Sequence, residues 1–331
     1  MTISADLLRR WAGRKVLITG GAGFLGSNVA RALAAAGADV IAVDCFLAEG
    51  GANRSNLEGT TARLVEADIG DSTKMVPLLA DRDVVFNFAG RTGHLDSMTD
   101  PLGDLADNAE SQLAFLEACR KANPGLRIIF TSTRQVYGRP QRLPVDENHP
   151  IEPPDINAIH KLAAENYHLL YHRVHGLKSC VLRLTNCFGP GMRIKDARQT
   201  FVGIWLRKAL EDGAVEVWGG EQRRDLLFAT DLVAAVMTAA DSDAVMGRAL
   251  NLGGNGAVSL ATLAQTLIKV AGRGRIERRE FPAERKSIDI GDFVLDDSAF
   301  RAATGWAPAV GLDQALAESI AYYRERLARY L

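Results

Sequence analysis

The glycine-rich segment at residues 20–26 constrains the fold of this chain more than any other part of its sequence. Gly20, Gly23 and Gly26 recur at every third position, directly after the apolar stretch Lys15–Thr19 and before an amphipathic helical pattern. Without Cβ atoms, the backbone can turn tightly from a strand into a helix and approach a pyrophosphate at the helix N-terminus. The spacing therefore predicts a dinucleotide-binding turn between the first strand and the first helix.

An acidic residue at the next strand end indicates which dinucleotide is bound. Asp44 directly follows the second predicted strand, residues 39–43. A carboxylate at this point accepts a hydrogen bond from the ribose 2′-hydroxyl of a dinucleotide and repels a 2′-phosphate. We therefore expect NAD rather than NADP as the cofactor.

Short apolar strands alternate with helical patterns through the first part of the chain, which is typical of an α/β fold. The predicted strands are residues 15–19, 39–43, 63–67, 84–89, 127–132, 179–184 and 215–218, and the predicted helices are 26–36, 72–79, 102–122, 157–174, 201–211, 230–240 and 312–330. This order predicts a Rossmann-type, doubly wound parallel sheet. We expect residues 1–188 to form the NAD-binding domain, with residues 1–14 as an N-terminal extension. Residues 189–331 should form mainly a smaller substrate-binding lobe, with some segments returning to the first domain.

Composition excludes several classes of protein. The 331 residues include 39 basic and 40 acidic side chains, so the chain lacks the basic excess of a nucleic-acid-binding protein. No apolar stretch approaches the roughly 20 residues that span a bilayer. The four cysteines show no paired spacing, so we expect neither a disulfide framework nor a metal site. These features predict a cytoplasmic protein.

Eight motifs along the chain resemble those of a known family. They are TGGAGFLGS at 19–27, Asp44, Asp68-Ile69, FNFAG at 86–90, TSTRQVYG at 131–138, Lys161, RLTNCFGPG at 183–191 and RRDLLFATD at 223–231. Their types and order resemble the extended short-chain dehydrogenase/reductases, and more narrowly the nucleotide-sugar epimerases and dehydratases such as UDP-glucose 4-epimerase. The resemblance implies bound NAD, a nucleotide-diphosphate sugar as substrate and a homodimer. It places these residues at the cofactor: Gly20, Gly23, Phe24, Leu25, Gly26, Asp44, Asp68, Ile69, Phe88, Ala89, Gly90 and Lys161.

The catalytic residues of that family are only partly present. A Ser/Thr orients the sugar hydroxyl, a Tyr removes its proton, and a Lys four residues later lowers the pKa of the phenol. Thr133 and Lys161 match the Ser/Thr and the Lys, but Asn157 occupies the position of the Tyr. An amide forms hydrogen bonds but is not a general base near neutral pH.

Three interpretations of Asn157 remain open from the sequence. Another residue supplies the base, with His94, His160 and Tyr137 as the candidates; or the reaction demands less of a base; or the protein binds ligands without redox turnover. For both histidines, a role as a polar pocket or surface residue is the simpler alternative.

A second departure concerns the two residues after Thr133. Family members that eliminate water usually carry an Asp-Glu pair there, whereas this chain has Arg134 and Gln135. Gln135 cannot deprotonate carbon, so the usual 4,6-dehydratase mechanism is disfavoured. Arg134 either binds an anionic group, such as a uronate carboxylate, or is an ordinary loop residue.

The resemblance also implies a diphosphate site in the C-terminal part of the chain. Asn186 and Arg224 match family residues at the diphosphate, with Arg193 and Arg198 on the loop between them. Trp218 lies near the nucleobase in one interpretation and in the core in the other. The segment from Arg183 to Arg224 contains eight basic residues and five acidic ones, and this local excess of positive charge suits an anionic ligand.

Three histidines on one predicted helix have the spacing of metal ligands. His168, His172 and His175 stand at i, i+4 and i+7, but no cysteine or carboxylate completes a typical set. We expect a solvated helix face instead. In the family that the chain resembles, this helix packs with the 102–122 helix in a dimer interface.

Three functions follow from these observations. The first is a NAD-dependent epimerase that oxidises C4 of a nucleotide sugar transiently and reduces it again. The second is a noncanonical dehydratase, decarboxylase or 4-oxidase acting on a nucleotide sugar or uronate. The third is a protein that binds NAD and sugar nucleotides without redox turnover.

Overall fold

The computed structural model describes residues 3–48, 50–196, 200–280 and 291–331, and for His94 the backbone only. Its strands are β1 (Lys15–Thr19), β2 (Asp39–Asp44), β3 (Arg63–Glu66), β4 (Val84–Asn87), β5 (Arg127–Thr133), β6 (Lys178–Leu184), β7 (Asn186–Phe188), β8 (Ala214–Trp218), β9 (Arg223–Phe228), β10 (Ala249–Leu252), β11 (Ala257–Ser259) and β12 (Arg275–Arg279). Its helices are α1 (Ala5–Arg9), α2 (Phe24–Ala35), α3 (Ser72–Leu79), α4 (His94–Thr99), α5 (Pro101–Leu105), α6 (Ser111–Ala122), α7 (Ile156–His175), α8 (Phe201–Leu210), α9 (Ala229–Asp241), α10 (Leu260–Ala271), α11 (Ser298–Thr304) and α12 (Leu312–Arg326).

Seven parallel strands form the central sheet, in the order β3-β2-β1-β4-β5-β6-β10. The first strand, β1, lies in the interior of the sheet, and later strands are added on both sides of it. This order confirms the predicted Rossmann-type fold. The strands β1, β4 and β5 are buried along most of their length because helices cover both faces. The edge strand β10 comes from the C-terminal third of the chain, where Leu250 pairs with Leu182 of β6.

Helices bury the two faces of this sheet in separate cores. On one face, α2 and α9 pack together over residues that include Val16, Ile18 and Val236. On the other face, α3, α6 and α7 cover residues that include Leu17 and Phe115. The alternation of Val16, Leu17 and Ile18 between the two cores is what a parallel strand buried on both sides requires.

Residues after β6 add smaller sheets and a third core. A three-stranded sheet has the order β11-β9-β7, and β8 pairs with β12. The helices α8, α10 and α12 pack around them. Tyr323 of α12 joins this core to the turn after β7, since its hydroxyl donates to the carbonyls of Gly189 and Met192.

The structure corrects two details of the helices. The predicted helix 102–122 is interrupted by a π-helical turn at Ala106–Glu110, between α5 and α6. The expectation of a solvated histidine face on α7 is wrong for His168, which is fully buried and stacks on Phe130 with ring centroids 4.4 Å apart. Within the described parts of the chain, no helix is long and apolar enough to cross a bilayer.

Candidate active site

A cleft runs along the carboxyl ends of the central strands and has two adjoining segments. The glycine cleft is lined by the 20–26 turn and the ends of β2, β3 and β4, and the lysine cleft by the end of β5, the start of α7 and the 184–187 segment. Five residues line both segments: Phe24, Leu25, Phe88, Gly90 and Thr92. A ligand that fills the glycine cleft can therefore extend into the lysine cleft without crossing solvent.

The turn that begins α2 is built for close approach. Gly20 has φ of +62°, and a Cβ there would stand 2.9 Å from the carbonyl carbon of Phe88. A Cβ on Gly26 would collide with the carbonyl oxygen of Gly20. Gly23 precedes α2 and provides no side-chain cap, so the first N–H groups of the helix are left for a ligand. This cradle fits the pyrophosphate of a dinucleotide.

Asp44, at the end of β2, lines the glycine cleft beside the 20–26 turn. Its Oδ2 accepts from the backbone N–H of Ala22 at 3.1 Å and its Oδ1 from that of Phe46 at 3.0 Å. Burial raises the pKa of this carboxyl, while the backbone donors lower it. The cleft brings the predicted cofactor residues together, since its lining includes Gly20, Gly23, Phe24, Leu25, Gly26, Asp44, Asp68, Ile69, Phe88, Ala89 and Gly90.

Lys161 extends from α7 to the junction of the two segments. Its side chain is almost entirely buried, and its Nζ lies directly over Gly90, within the space that a Cβ there would need. Burial lowers the pKa of this ammonium to about 8, against an opposing effect of the charge of Asp104. Lys161 thus lines the lysine cleft at the point where this cleft adjoins the glycine cleft.

Asn108 is a site residue that the sequence prediction missed. It lies on the π-helical turn, is fully buried, and its Oδ1 approaches the same face of Gly90 as Lys161. Neither polar atom of its amide has a hydrogen-bond partner in the described structure. A π-helical turn often marks a functional position, but the sequence pattern shows only a helix here.

Thr133 and Asn157 lie together in the lysine cleft with Lys161. The hydroxyl of Thr133, at the end of β5, accepts from the backbone N–H of Gln135 at 3.1 Å. Asn157 donates from Nδ2 to the carbonyl of Arg91 at 3.0 Å and to Oδ2 of Asp104 at 2.9 Å. The helical spacing of four residues thus places residues 157 and 161 at one site, as predicted from the sequence.

The three proposed substitute bases occupy different places. Tyr137 is fully buried outside the cleft lining, where it donates to Oδ1 of Asn251 at 2.7 Å and accepts from Nη1 of Arg183 at 2.9 Å. Burial raises its pKa, and its hydroxyl is occupied by these two contacts, so the structure does not bring Tyr137 into the cleft. His160 pairs its Nδ1 with Oδ1 of Asp104 at 2.8 Å and is absent from the cleft lining. His94 begins α4, but its side chain lies outside the described structure.

Arg134 and Asn186 line the lysine cleft, and Arg224 lies near Arg134. Nη2 of Arg134 lies 3.4 Å from Oδ1 of Asn186, while Nη1 of Arg134 and Nδ2 of Asn186 are buried donors without a partner. Burial and the charge of Arg224 lower the pKa of Arg134 to about 10. Arg224 itself donates to the carbonyl of Arg223 at 3.0 Å and to that of Gly291. The two unpartnered donors and the paired positive charges suit an anionic ligand.

Two other predicted substrate residues are placed elsewhere. The guanidinium of Arg193 pairs with Asp196 and donates to the carbonyl of Gly50 at 2.6 Å, so it joins the 193–196 loop to the wall of the glycine cleft. Trp218 ends β8 beside Arg279 of β12 and does not belong to the lining of either cleft. Arg198 lies outside the described residues.

The described residues contain no group of three or more His, Cys, Asp or Glu side chains suited to a metal ion. His168 donates or accepts at Nδ1 with the hydroxyl of Ser179 at 2.8 Å, and Nδ1 of His172 lies 2.9 Å from the carbonyl of Leu177. These two rings therefore form hydrogen bonds that hold α7 against β6 and the residue before it.

Comparisons with known proteins identify the family of the chain. The model of the NAD dependent epimerase/dehydratase family matches residues 16–253. A putative UDP-glucose 4-epimerase of Methanocaldococcus jannaschii is 33% identical over 226 residues, which are 68% of this chain and 72% of that protein. UDP-glucuronic acid decarboxylase 1 of Xenopus tropicalis is 28% identical over 326 residues, 95% of this chain and 73% of that protein.

A solved structure extends the similarity. The UDP-glucose 4-epimerase of Thermotoga maritima with UDP-glucose matches with a TM-score of 0.84 at 28% identity, over 94% of this chain and 99% of that one. These matches confirm the predicted family, fold class and NAD cofactor. Because the family model matches more than half of the chain, the protein belongs to the NAD-dependent epimerase/dehydratase family.

Proposed function

We propose that the protein is a NAD-dependent epimerase of a nucleotide-diphosphate sugar. The observation that carries the proposal is the continuity of the two clefts through Phe88 and Gly90. A dinucleotide lying along the glycine cleft ends beside Lys161, Thr133 and Asn157, where a sugar would meet it. When bound, NAD would accept a hydride from the sugar C4 while the hydroxyl proton leaves to water in the cleft, and both would return, the hydride to C4 and the proton to its oxygen.

Residues of the chain would bind the cofactor and orient the sugar. The backbone at Gly23 and Phe24 binds the pyrophosphate, and Asp44 accepts from a ribose hydroxyl. Lys161 donates to the other ribose and keeps positive charge near the reacting oxygen, while the hydroxyl of Thr133 orients that oxygen. Asn157 forms a hydrogen bond with the ligand but does not take its proton.

The anion site would hold the diphosphate. Asn186 lines the lysine cleft together with Thr133 and Arg134, and the charge of Arg224 acts on Arg134. The buried donors of Arg134 and Asn186 lack partners within the described protein, which supports an anionic group bound against them.

The test is turnover of a panel of UDP-, dTDP-, GDP- and CDP-sugars in labelled water, with deuterium at C4. Inversion at C4 with retention of deuterium and no solvent label supports the epimerase. Label at C5 indicates elimination or 5-epimerisation instead. Binding of several sugar nucleotides without any turnover would show a binding protein and overturn the proposal, as would failure to bind NAD.

A second candidate function follows from the position of Arg134. It comes directly after Thr133, and its partly unpartnered guanidinium could bind a carboxylate on the sugar. The similar UDP-glucuronic acid decarboxylase 1 makes a nucleotide uronate a reasonable substrate to include. Release of labelled CO2 from UDP-glucuronate, lost in Arg134→Met, would favour this function. Equal binding of UDP-glucose and UDP-glucuronate would count against it.

We also propose a homodimer formed through α6 and α7. Large apolar side chains are exposed on these helices and on α4 and α5, which pack beside α7: Leu95, Met98, Leu102, Leu105, Leu113, Ile159, Leu170 and Val174. Such a concentration of exposed apolar groups is typical of an interface between chains. Light scattering should give twice the chain mass, and Leu113→Glu with Leu170→Glu should give the monomer. A monomeric wild type would contradict this.

The cytoplasm is the compartment that we propose. All four cysteines are unpaired in the structure, and Cys119 and Cys180 are buried as thiols. Reduced thiols and a supply of NAD are both found there. Cell fractionation with an antibody to the chain tests this location.

A further inference from the structure

The amide of Asn157 has one orientation that satisfies its surroundings. Its nitrogen lies 3.0 Å from the carbonyl oxygen of Arg91 and 2.9 Å from Oδ2 of Asp104. Both partners accept hydrogen bonds, so both must be met by the NH2 group rather than by the carbonyl oxygen of the amide. Because an amide is planar, Oδ1 of Asn157 is then left for the lysine cleft, which this residue lines.

The buried carboxylate of Asp104, which contacts both Asn157 and His160, stabilises this orientation of the amide. Asp104 of α5 has no exposed surface, and its second oxygen, Oδ1, lies 2.8 Å from Nδ1 of His160. An ionised carboxylate can only accept, so His160 carries the proton on Nδ1 and donates it. The backbone N–H of Asn157 donates to the hydroxyl of Ser97 at 3.2 Å, which holds the start of α7 against α4. The network therefore fixes both the backbone and the side chain of residue 157.

We propose that Asp104 and His160 are positioning residues that hold the carbonyl oxygen of Asn157 toward the ligand. Residue 157 then accepts a hydrogen bond from a sugar hydroxyl beside the nicotinamide, and selects that hydroxyl over a keto oxygen at the same carbon. Two facing acceptors, the amide oxygen and a keto oxygen, repel each other. This inference rests on the proposed function, because it takes the ligand of the lysine cleft to be a sugar nucleotide.

The chain supplies a matched set of variants. Asp104→Leu removes both acceptors, so Asn157 keeps only the carbonyl of Arg91 and its amide can rotate. In Asp104→Asn, the amide oxygen of the new residue still accepts from Asn157. The NH2 group of the new residue can donate to Nδ1 of His160 when that ring carries its proton on Nε2. Asn157→Leu removes the proposed acceptor itself. Neither Asp104 nor His160 lines the cleft. Asp104→Leu and Asp104→Asn both remove the charge that acts on Lys161, so the difference between these two variants isolates the effect on Asn157.

The experiment is calorimetric titration of the NAD-loaded protein with UDP- and dTDP-glucose and their 4-deoxy-4-fluoro analogues. One hydrogen bond should favour the 4-hydroxy sugars by about threefold to tenfold in the wild type. The preference should fall by that factor in Asp104→Leu and Asn157→Leu, where the contact from the Thr133 hydroxyl remains, and should be fully retained in Asp104→Asn. UDP and dTDP without sugar should bind all the proteins equally, and a 4-keto sugar nucleotide, which has the structure of the proposed intermediate, should bind Asp104→Leu no worse than the wild type.

The outcomes separate the two proposals. A wild type that binds neither NAD nor any of these nucleotides overturns the proposed function. A wild type that binds them, with the hydroxyl preference unchanged in Asp104→Leu or Asn157→Leu, overturns the positioning role alone. If Asp104→Leu does not fold, Asn157→Leu and Asp104→Asn still carry the comparison, since loss of the preference in Asp104→Asn equally contradicts the proposed network.

Discussion

The ammonium of Lys161 and the backbone of Gly90 lie in direct contact at the junction of the two clefts. Gly90 has φ of +145°, and a Cβ on it would occupy the space of Lys161 Nζ and stand 2.5 Å from Oδ1 of Asn108. The end of β4 therefore needs a glycine for two reasons, its backbone conformation and the room that it leaves for the lysine. This contact connects the glycine cleft to the chemistry of the lysine cleft.

Gly90→Ala should displace Lys161 and weaken NAD binding. Loss of one charge-assisted hydrogen bond to the ribose corresponds to about tenfold to a hundredfold in the dissociation constant. Fluorescence titration with NAD measures the change. Gly59→Ala is the matched control, because Gly59 also has a positive φ, +73°, but nothing lies within 4 Å of its added Cβ. Equal NAD affinity in the two variants would show that the contact with Lys161 is unimportant.

Lys161→Met should bind NAD poorly yet unfold at a higher temperature. Burial lowers the pKa of Lys161 to about 8, so holding it charged at neutral pH costs the fold free energy. A shift from 10.5 corresponds to about 3 kcal/mol, which in a chain of this size raises Tm by about 3–5 °C when the charge is removed. Calorimetry of the NAD-free proteins measures this. A lower Tm for the variant would mean that the ammonium stabilises the empty cleft.

Tyr137→Phe tests the assignment of Tyr137 to the core rather than to catalysis. The variant leaves Oδ1 of Asn251 and Nη1 of Arg183 without the phenol, which costs about 1–3 kcal/mol of unfolding free energy. Because the ring lies outside the cleft lining, the turnover of the folded variant should stay within about a factor of two of wild type. Urea unfolding and kcat are the two measurements. A large loss of kcat with unchanged stability would restore Tyr137 as a catalytic residue.

The fold was largely predictable because periodicity reports which faces are buried. The stretch Lys15–Thr19 and the long helix α7 were found within one or two residues of their observed bounds. The strands β7, β9, β10, β11 and β12 were not predicted, since segments of three to six residues carry little pattern and most of their partners are distant in sequence. The π-helical turn at Ala106–Glu110 was not predicted either, because it leaves the apolar spacing of a helix intact.

The site was predictable where one local segment supplies several residues. The 20–26 turn and the pair Asn157 and Lys161 are of this kind, because strand-turn-helix geometry and the helical repeat fix their relative positions. Asp104 is different: it reaches Asn157 across 53 positions of sequence. Nothing in its neighbourhood marks it, since a buried acid on α5 has the same sequence signature as an exposed one.

His168 should make the stability of the protein fall in mild acid. Its ring is fully buried against Phe130, and burial lowers its pKa to about 3 from an ordinary value of 6.5. Below pH 6.5 the unfolded chain takes up a proton that the folded chain does not, so the unfolding free energy decreases as pH falls. The slope from this one group approaches about 1.4 kcal/mol per pH unit between about pH 6 and 4.

Urea unfolding of wild type and His168→Leu across this pH range isolates the contribution of the buried ring. The difference in unfolding free energy between the two proteins should shrink, or change sign in favour of the variant, as the pH is lowered. His175→Leu is the matched control, because His175 lies exposed on the same helix and its removal takes no buried ring from the core. If His168→Leu keeps the wild-type slope, the ring is protonated in the folded protein, and α7 must open toward solvent in acid to accommodate the charge.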